Sequence, residues 1–404
     1  MCGIVGYIGK RDAVPLLLNG LRRLEYRGYD SAGLAVLRAG SLLVQKTVGR
    51  LANLEARLQT HPLTGSIGIG HTRWATHGEP SELNSHPHMD SSGKIAVVHN
   101  GIIENYAELK KELESKGHVF KSETDTEVIP HLIEAELKAG AGSFEEAIRR
   151  ALRRMRGAYA LGILSQDDPQ TLYAARHGSP LILGLGKNEQ FIASDVPAIL
   201  SETSTVVYLN DGEIAALRAD SVTVKRLDGT VVEPKPTTVT FQADAAERAG
   251  FDTFMMKEIF EQPRVLRRLL EKYVDHDGRI HLPDFGIPPT YFQKVNRIMI
   301  VACGTAYHAG MYGKLLLENI TSIAVETDLG SEFRYRDPKI DPGTLIIAVS
   351  QSGETADTLA SARMAKSRGC KVLSICNVQG STLARESDAI FFTEAGPEIG
   401  VAST

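Results

Sequence analysis

The chain has 404 residues, of which 43% are hydrophobic and 23% charged, a balance typical of folded rather than disordered protein. A formal net charge of -4 argues against a nucleic-acid coat or a polybasic membrane anchor. No apolar run approaches the roughly 20 residues of a membrane helix, and the first residues do not resemble a signal peptide. Four scattered cysteines fit neither a disulfide framework nor a zinc ribbon. We therefore expect a cytoplasmic, multidomain protein without nucleic-acid or membrane partners.

The first half of the chain, to about Leu227, mixes strand-like runs with helical patterns. Short apolar runs predict strands at Ile4–Ile8, Ala32–Leu37, Ser66–Gly70, Ile95–His99, Ala158–Leu164, Leu172–Ala175, Leu181–Gly184, Phe191–Ser194 and Thr205–Tyr208. Apolar periodicity predicts helices at Asp12–Leu24, Glu104–Lys116, Asp125–Lys138 and Ser143–Met155. Strands cluster between pairs of helices instead of alternating with them, which favours an α+β layer sandwich.

Residues 228–250 are rich in Pro, Thr, Ala and Gly and lack a core periodicity, which predicts a linker. A helical segment follows, in which Leu266, Leu269, Leu270 and Tyr273 share one stripe.

From Arg297 onward the pattern changes. Five short, wholly apolar runs predict strands: RIMIVAC, SIAVET, TLIIAVS, KVLSIC and AIFFT. Helical stretches separate some of them, at Ala306–Asn319, Thr355–Arg368 and around Ser381–Glu386. Continuous apolar strands alternating with helices predict a parallel sheet covered on both faces, that is, a doubly wound α/β domain.

Cys2 becomes the terminal residue if Met1 is removed, which is expected before a small residue. A terminal cysteine carries a thiol nucleophile and its own α-amine, whose ordinary pKa of about 7.7–8.0 suits a general base at neutral pH. Gly3 permits a close approach to the backbone beside it. The alternative is a small buried cysteine in the first strand.

The segment HTRWATHG, residues 71–78, follows a predicted strand. Arg73 offers a planar fork that can bind a carboxylate, and Trp74, the only tryptophan, can cover a pocket. The alternative is a surface arginine with a core tryptophan. A zinc site is a further alternative, although it lacks helical spacing and a cysteine partner. Its ligands would be His71, His77, His86 and His88.

Two more motifs offer catalytic groups. Asn100–Gly101, at the end of an apolar strand, can supply a side-chain amide and a backbone N–H as an oxyanion hole, with an ordinary Asn-Gly turn as the alternative. Asp125, within SETDTE, can bind an ammonium group. The alternative makes Thr124 and Glu127 a capping box and Asp125 an acid of the first helical turn. With Arg73, Asp125 would hold the two ends of an α-amino acid.

The segments CGIVGYIG, LEYRGYDSAG, HTRWATHG, HNGIIEN and SETDTE resemble, in order and spacing, the class II glutamine amidotransferases, which are N-terminal-nucleophile glutaminases. The resemblance covers residues 2–227 and implies an N-terminal-nucleophile layer sandwich. It implies that Cys2 attacks the side-chain amide of glutamine, that the Cys2 α-amine moves the proton, and that Asn100 and Gly101 hold the oxyanion. The residues implied to position glutamine are Arg73, Trp74, Thr76, His77, Gly101 and Asp125.

The second half indicates which acceptor takes the ammonia. In IIAVSQSGETADT a strand runs into Ser350–Thr355 and then into a helix, so that hydroxyls, loop amides and a helix N-terminus suit a phosphate. Gly304–Thr305 follows another strand in the same way, and open sheets bind ligands at the carboxyl ends of strands. A Ser/Thr-rich helix start without a ligand is the alternative. The sequence lacks the paired acids of a phosphoribosyl acceptor enzyme and the S-G-G-x-D-S loop of an asparagine-forming enzyme.

These features resemble the SIS family of phosphosugar-binding domains, over residues 251–404 with a leading helical segment. Behind a class II glutaminase, FMMKEIFEQP, SEFRYRDP and EIGVAST extend the resemblance to glutamine-dependent sugar-phosphate aminotransferases. That resemblance implies transfer of the amide nitrogen of L-glutamine to D-fructose 6-phosphate, giving D-glucosamine 6-phosphate and L-glutamate, in a homodimer without a metal or another cofactor. The residues implied to bind the sugar phosphate are Gly304, Thr305, Ser350, Gln351, Ser352, Thr355, Val401, Ala402 and Ser403. Ala306 stands where many family members have a serine.

The chain ends on Ser403 and Thr404, two good N-cap residues, which we interpret as a cut at the entrance to a helix. The resemblance implies that a second SIS domain, with a Schiff-base lysine, lies beyond Thr404. Three interpretations stay open: a fragment of the nitrogen-transfer enzyme, a glutamine hydrolase with a non-catalytic phosphosugar-binding module, and a non-catalytic phosphosugar sensor.

Overall fold

The computed structural model describes residues 2–25, 28–75, 77–239, 250–282, 286–396, 398–400 and 402–403. The chain divides into two compact units, Met1–Ala243 and Asp244–Thr404. None of the helices in the described ranges combines the length and the apolar character required to cross a lipid bilayer.

The first unit is built mainly from strands. In chain order these are β1 (Gly3–Ile8), β2 (Ser31–Arg38), β3 (Ser41–Val48), β4 (Ile67–Arg73), β5 (His88–Met89), β6 (Ile95–Ile103), β7 (Gly157–Ser165), β8 (Leu172–His177), β9 (Ile182–Leu185), β10 (Gln190–Ala193), β11 (Thr205–Tyr208), β12 (Glu213–Arg218), β13 (Ser221–Arg226), β14 (Val231–Val232) and β15 (Thr237–Thr238). Its helices are α1 (Ala13–Leu24), α2 (Leu51–Thr60), α3 (Tyr106–Ser115), α4 (Val128–Lys138) and α5 (Phe144–Arg154).

These strands form two antiparallel sheets within the described part of the chain. One has eight strands in the order β15-β11-β9-β10-β1-β4-β2-β3, and the other has seven in the order β14-β13-β12-β8-β7-β6-β5. The central strands β1, β4 and β6 adjoin or contain predicted site residues, since Cys2 precedes β1, Arg73 ends β4, and Asn100 lies within β6.

Alternating side chains of the central strands face different layers. In β6, Ile95 and Val97 pack in one core with α3, α4 and α5, whereas Ala96 and Val98 pack against the other sheet. In β1, Val5 packs in a third core beside α1 and α2. Both faces of these strands are therefore buried, which explains their unbroken apolar runs. The result is a helix–sheet–sheet–helix arrangement that confirms the predicted α+β layer sandwich.

Part of the predicted linker is ordered into strands. Val231–Val232 pairs with β13 and Thr237–Thr238 pairs with β11, so residues up to about 239 extend the two sheets of the first unit. These edge strands are only two residues long and mostly exposed, which leaves no core periodicity in the sequence. Residues 240–249 of the predicted linker lie outside the described residues.

The second unit contains a parallel sheet. Its elements are α6 (Phe254–Tyr273), α7 (Pro289–Phe292), β16 (Arg297–Ala302), α8 (Thr305–Ile320), β17 (Ala324–Leu329), α9 (Gly330–Arg336), β18 (Thr344–Ser350), α10 (Ala356–Ser367), β19 (Lys371–Cys376), α11 (Thr382–Glu386) and β20 (Ala389–Phe392). The five strands are parallel in the order β17-β16-β18-β19-β20. All five are the strands that the apolar runs predict.

Helices cover both faces of this parallel sheet. Phe333 of α9 and Leu359 of α10 pack on one face, and Leu317 of α8 packs on the other. This confirms the predicted doubly wound α/β domain. The stripe predicted on α6 is only partly buried, because Leu266 and Leu270 are 60% and 62% exposed.

Candidate active site

A cavity of about 300 Å³ in the first unit brings the amino-terminal motifs together. Cys2 precedes β1, Arg73 ends β4, and Asn100 lies in β6. The predicted residues that line the cavity are Cys2, Arg73, Trp74, His77, Asn100, Gly101 and Asp125. Thr76, which was also predicted, lies outside the described residues. Segments separated by up to about 120 residues along the chain therefore meet in one concave site, the usual form of a small-molecule site.

Cys2 lines this cavity and is only partly exposed. Its Sγ accepts a hydrogen bond of 3.2 Å from the backbone N–H of Trp74. Burial raises the pKa of the Cys2 thiol, and the Trp74 amide opposes that rise. The thiol is therefore protonated at neutral pH and requires a base before it can act as a nucleophile.

Gly3 is the residue that lets Cys2 approach its neighbours. A Cβ atom at Gly3 would lie 2.7 Å from Thr72 Oγ1 and 2.8 Å from Leu24 Cβ. The pairing of β1 with β4, in which Gly3 stands opposite Thr72, thus depends on glycine and fixes the position of Cys2.

Asn100 and Gly101 continue β6 instead of forming a turn, so the Asn-Gly turn alternative is wrong. Asn100 Nδ2 donates to the carbonyl oxygen of Cys2 at 3.1 Å, and Asn100 Oδ1 lies 3.0 Å from His71 Nε2. An amide nitrogen has two hydrogens, so one donor of Asn100 stays available for a ligand.

The conformation at Gly101 requires glycine. Its φ is 137°, and an added Cβ would lie 2.0 Å from the carbonyl oxygen of Ala158 on β7. The strand can continue past Asn100 only because this position has no side chain.

Arg73 is buried, with 3% of its surface exposed, so the surface-arginine alternative is wrong. Its guanidinium donates to backbone carbonyls of the following loop, through Nη2 to His77 and, at 3.0 Å, to Gly78. A third contact runs from Nη1 to the carbonyl of Glu79 at 3.5 Å. Arg73 therefore holds the loop that carries His77 while it lines the cavity.

Trp74 is 43% exposed, so the core-tryptophan alternative is also wrong. Its ring meets the ring of Tyr29 edge-on, with centroids 5.5 Å apart. A partly exposed aromatic plate at the rim of a cavity is suited to cover a ligand.

Asp125 lines the cavity and is buried, with 3% of its surface exposed. Its Oδ2 accepts a hydrogen bond of 2.8 Å from the backbone N–H of Ile103, and its Oδ1 lies 4.0 Å from His77 Nδ1. Its second oxygen is thus directed toward the loop held by Arg73.

The capping-box alternative is wrong, because α4 begins at Val128 and Asp125 lies before it. The Glu127 carboxylate instead accepts the backbone N–H groups of Lys121 and Ser122, at 2.9 and 2.6 Å. Burial alone would raise the pKa of Glu127, but the nearby His131 ring and these two amides lower it to about 2. Glu127 therefore shapes the loop that presents Asp125.

The four histidines of the zinc alternative do not converge on a common point in the described residues. The rings of His71 and His86 stack with centroids 4.1 Å apart, and His71 Nε2 contacts the carbonyl of His99. Burial lowers the pKa of His71 to about 3, and burial lowers the pKa of His86 and of His88 well below the ordinary value. These imidazoles are neutral packing groups, and His86 also lines the cavity.

The cavity also contains residues to which the sequence analysis assigned no role. His99 and Thr126 line it and are joined by a contact of 2.8 Å between Nδ1 and Oγ1. His99 lies in the segment HNGIIEN and Thr126 in SETDTE, so their place in these motifs could have marked them as site residues. Ser179 also lines it, from the connection between β8 and β9, where no motif marks it. Asp30 accepts the backbone N–H of Ala75 and so fixes the other end of the Arg73 loop.

In the second unit, two strand ends form a neighbouring pair of loops. Ala302 of β16 pairs with Val349 of β18, so the segments that follow them emerge side by side. Gly304 precedes α8, which begins at Thr305. This is the edge at which parallel sheets bind ligands.

The loop after β18 is closed by its own hydroxyl groups. Ser350 is buried, accepts the N–H of Gly353 at 3.1 Å and lies 3.1 Å from Thr355 Oγ1. Gln351, Ser352 and Thr355 are half-buried. Ser350 thus shapes the loop, and the half-buried residues are the accessible ones.

The last predicted segment is attached to α6. Glu258 Oε1 accepts the backbone N–H groups of Ile399 and Gly400, at 2.7 and 2.9 Å. Ala402 and Ser403 are half-buried, and Ser403 donates to Glu398 at 3.2 Å. Val401 lies outside the described residues.

Comparison with known proteins identifies both units. A family model for the glutamine amidotransferase domain matches residues 71–201, and one for the SIS domain matches residues 291–404. By fold, the chain resembles the glutamine phosphoribosylpyrophosphate amidotransferase of B. subtilis, with a TM-score of 0.52 and 18% identity over 93% of this chain and 81% of that one.

The fold and the site define a class II glutamine amidotransferase domain followed by an SIS domain. Two curated relatives, both named glutamine–fructose-6-phosphate aminotransferase (isomerizing), match the whole of this chain. The protein of Symbiobacterium thermophilum is 52% identical and that of Clostridium tetani 51% identical. The chain spans 66% of the length of each. It belongs to the glutamine–fructose-6-phosphate aminotransferase family.

Proposed function

We propose that the first unit releases ammonia from the side-chain amide of L-glutamine, with Cys2 as the nucleophile. The observation that carries this proposal is the convergence of Cys2, Arg73, Asn100 and Asp125 on one cavity. These groups are a nucleophile, an amide donor and two opposite charges, which together suit a zwitterionic amino acid with a carbonyl to be attacked.

In the proposed reaction, removal of Met1 frees the α-amine of Cys2, which takes the thiol proton. The sulfur then bonds to the side-chain amide carbon, and the resulting oxyanion accepts hydrogen bonds from Asn100 Nδ2 and Gly101 N–H. The α-ammonium returns the proton to the amide nitrogen, the C–N bond breaks and ammonia leaves. Water cleaves the thioester, which gives L-glutamate and restores the thiol.

The proposed recognition of glutamine uses both of its charged ends. Arg73, with the loop that carries Thr76 and His77, binds the α-carboxylate, and Asp125 binds the α-ammonium. Trp74 covers the bound amino acid. Burial supports this assignment for Arg73 and Asp125, because each is only 3% exposed and a buried charge requires a partner.

We further propose that the complete activity transfers this nitrogen to D-fructose 6-phosphate, giving D-glucosamine 6-phosphate. The proposed phosphate site comprises the half-buried residues after β18, together with Gly304 and Thr305, where loop amides and two helix starts favour an anion. The segment Val401–Ser403 approaches the sugar. The names of the two curated relatives support this acceptor.

We propose that the protein acts as a homodimer. Helix α8 supports this, because large apolar side chains on it are between 46% and 78% exposed: Met311, Tyr312, Leu315, Leu316 and Ile320. An apolar helical face of this kind is typical of an interaction surface.

The test is to supply glutamine and fructose 6-phosphate and to measure glutamate and glucosamine 6-phosphate separately. Amino sugar formed with glutamate supports the nitrogen-transfer activity. Glutamate without amino sugar supports a glutamine hydrolase with a phosphosugar-binding module. No glutamate above the blank contradicts the proposed reaction at Cys2.

A further inference from the structure

A second cluster of reactive side chains lies in the first unit, away from the residues that line the cavity. His131 and Glu134 stand on α4, three residues apart and therefore on one face, and His118 follows α3. The three are 1%, 6% and 7% exposed, respectively. They are the group among the described residues whose metal-ligand atoms all lie within 4.8 Å of one another.

The donor atoms of this cluster are close enough together to share one metal ion. His118 Nδ1 lies 3.2 Å from His131 Nδ1 and 3.3 Å from Glu134 Oε2, and His131 Nδ1 lies 3.9 Å from the same oxygen. Ser91 Oγ is a fourth candidate ligand, at 3.3 and 3.1 Å from the two nitrogens. Tetrahedral zinc, with bonds of about 2.0–2.1 Å, separates its ligands by about 3.4 Å.

The surroundings of the cluster suit a cation. Two buried carboxylates flank the imidazoles, Glu134 and Glu127, and Glu127 Oε1 lies 3.6 Å from His131 Nε2. Glu134 Oε1 pairs with Lys138 Nζ at 2.7 Å, which leaves Oε2 for the metal, and Oε2 also accepts the backbone N–H of Ser91 at 3.3 Å. Among the described residues, the buried His131 Nε2 has no hydrogen-bond partner. Binding of a metal at Nδ1 places the proton of His131 on Nε2, facing Glu127, which is the arrangement that commonly supports a metal-bound histidine.

We propose that His118, His131 and Glu134 bind a divalent transition metal of the zinc type, with Ser91 or a water in the fourth position. Two imidazoles and one carboxylate favour zinc over magnesium or calcium, which prefer oxygen ligands. Ser91 is exposed, so the metal enters through the turn that precedes β6. The ion would join three segments of the first unit: that turn, the end of α3, and α4.

The test is a titration of the full chain with Zn²⁺, in a Cys2→Ala/Cys303→Ala background that removes both partly exposed thiols as competing ligands. We expect one equivalent to bind and the Tm to rise. His118→Gln and Glu134→Gln should weaken binding by at least about a hundredfold. The matched control is His281→Gln, which removes an exposed histidine paired with Asp275 at 2.8 Å and should bind normally.

The optical spectrum of Co²⁺ in the same site gives a measurement that needs no further substitution. Tetrahedral Co²⁺ with nitrogen and oxygen ligands supports the proposal, whereas a thiolate charge-transfer band places the metal on a cysteine and overturns it. Absence of saturable Zn²⁺ uptake also overturns it, since the cluster is then a hydrogen-bonded network only. Equal uptake by the chain and by folded His118→Gln and Glu134→Gln variants would contradict it as well.

Discussion

At the scale of single residues, Arg73 has both an observed and a proposed role. Its guanidinium holds the backbone of the following loop, and we propose that it also binds the carboxylate of glutamine. Arg73→Ala should raise the KM for glutamine by an amount equivalent to about 2–4 kcal/mol of charge-assisted hydrogen bonding. Arg73→Lys should recover only part of this, because an ammonium cannot form a fork. Steady-state glutaminase kinetics measure both, and an unchanged KM in the alanine variant would refute the role.

Gly101 gives a second prediction at this scale. Gly101→Ala should greatly reduce glutaminase activity and lower the Tm, because the new methyl would meet the Ala158 carbonyl at 2.0 Å. Gly140→Ala is the matched control, since its φ of 82° is also positive but, apart from its chain neighbours, no described residue lies within 4 Å of the added Cβ. Backbone strain alone should cost the control about 1–2 kcal/mol. Equal thermal denaturation of the two variants would show that the contact with β7 does not matter.

At the scale of elements, α6 fixes the segment that we propose approaches the sugar. Glu258→Ala removes the acceptor of the Ile399 and Gly400 amides, so it should weaken glucosamine 6-phosphate binding at least about tenfold while glutaminase activity is kept. Glu261→Ala is the control on the same helix, because that carboxylate pairs with Arg264. Calorimetric titration measures the affinity of both variants for glucosamine 6-phosphate. Identical affinities would show that Glu258 does not support the sugar site.

The elements also show what a sequence can predict. Strands buried on both faces, such as β1, β6, β16 and β18, are largely apolar runs and were predicted. Strand β3 (SLLVQKTV) and strand β13 (SVTVKR) were not, because their partly exposed residues mix polar and apolar types. The start of α4 was placed three residues early, since the sequence does not reveal that Glu127 bonds to loop amides instead of capping a helix.

The candidate site was predictable where local motifs carry it and not where the fold alone brings residues in. Cys2, Arg73, Asn100 and Asp125 stand in recognisable segments and do line one cavity. Ser179 joins them from the connection between β8 and β9, which no motif marks. Arg73 also holds its own loop through hydrogen bonds to backbone carbonyls, and the spacing of residues in the sequence does not predict these contacts.

At the scale of the whole molecule, buried neutral histidines predict acid sensitivity. The folded pKa of His71, about 3, lies below the ordinary value of 6.5, so the unfolded chain takes up its proton first as the pH falls. The contribution of neutral His71 to the free energy of unfolding is fully present above about pH 6.5. It is lost progressively toward pH 3, at up to about 1.4 kcal/mol per pH unit. His86 and His88 act in the same direction.

Urea denaturation at a series of pH values measures this effect. The free energy of unfolding should fall between pH 7 and pH 5 in the unsubstituted chain. His71→Asn should flatten that slope, whereas substitution of the exposed His61 to Asn should leave it unchanged. If the free energy of unfolding falls equally steeply with pH in His71→Asn and in the unsubstituted chain, His71 does not cause the acid sensitivity.

The proposed role of Cys2 is tested most directly by the rate of glutamate release from glutamine. The unsubstituted chain, after loss of Met1 has been verified by intact mass, is compared with Cys2→Ala and with the control Cys370→Ala, which removes a buried cysteine of the second unit. We predict that Cys2→Ala lowers the rate at least about a thousandfold and still binds glucosamine 6-phosphate, while Cys370→Ala keeps its activity. A Cys2→Ala rate within about tenfold of the unsubstituted chain would contradict the assignment of Cys2 as the nucleophile.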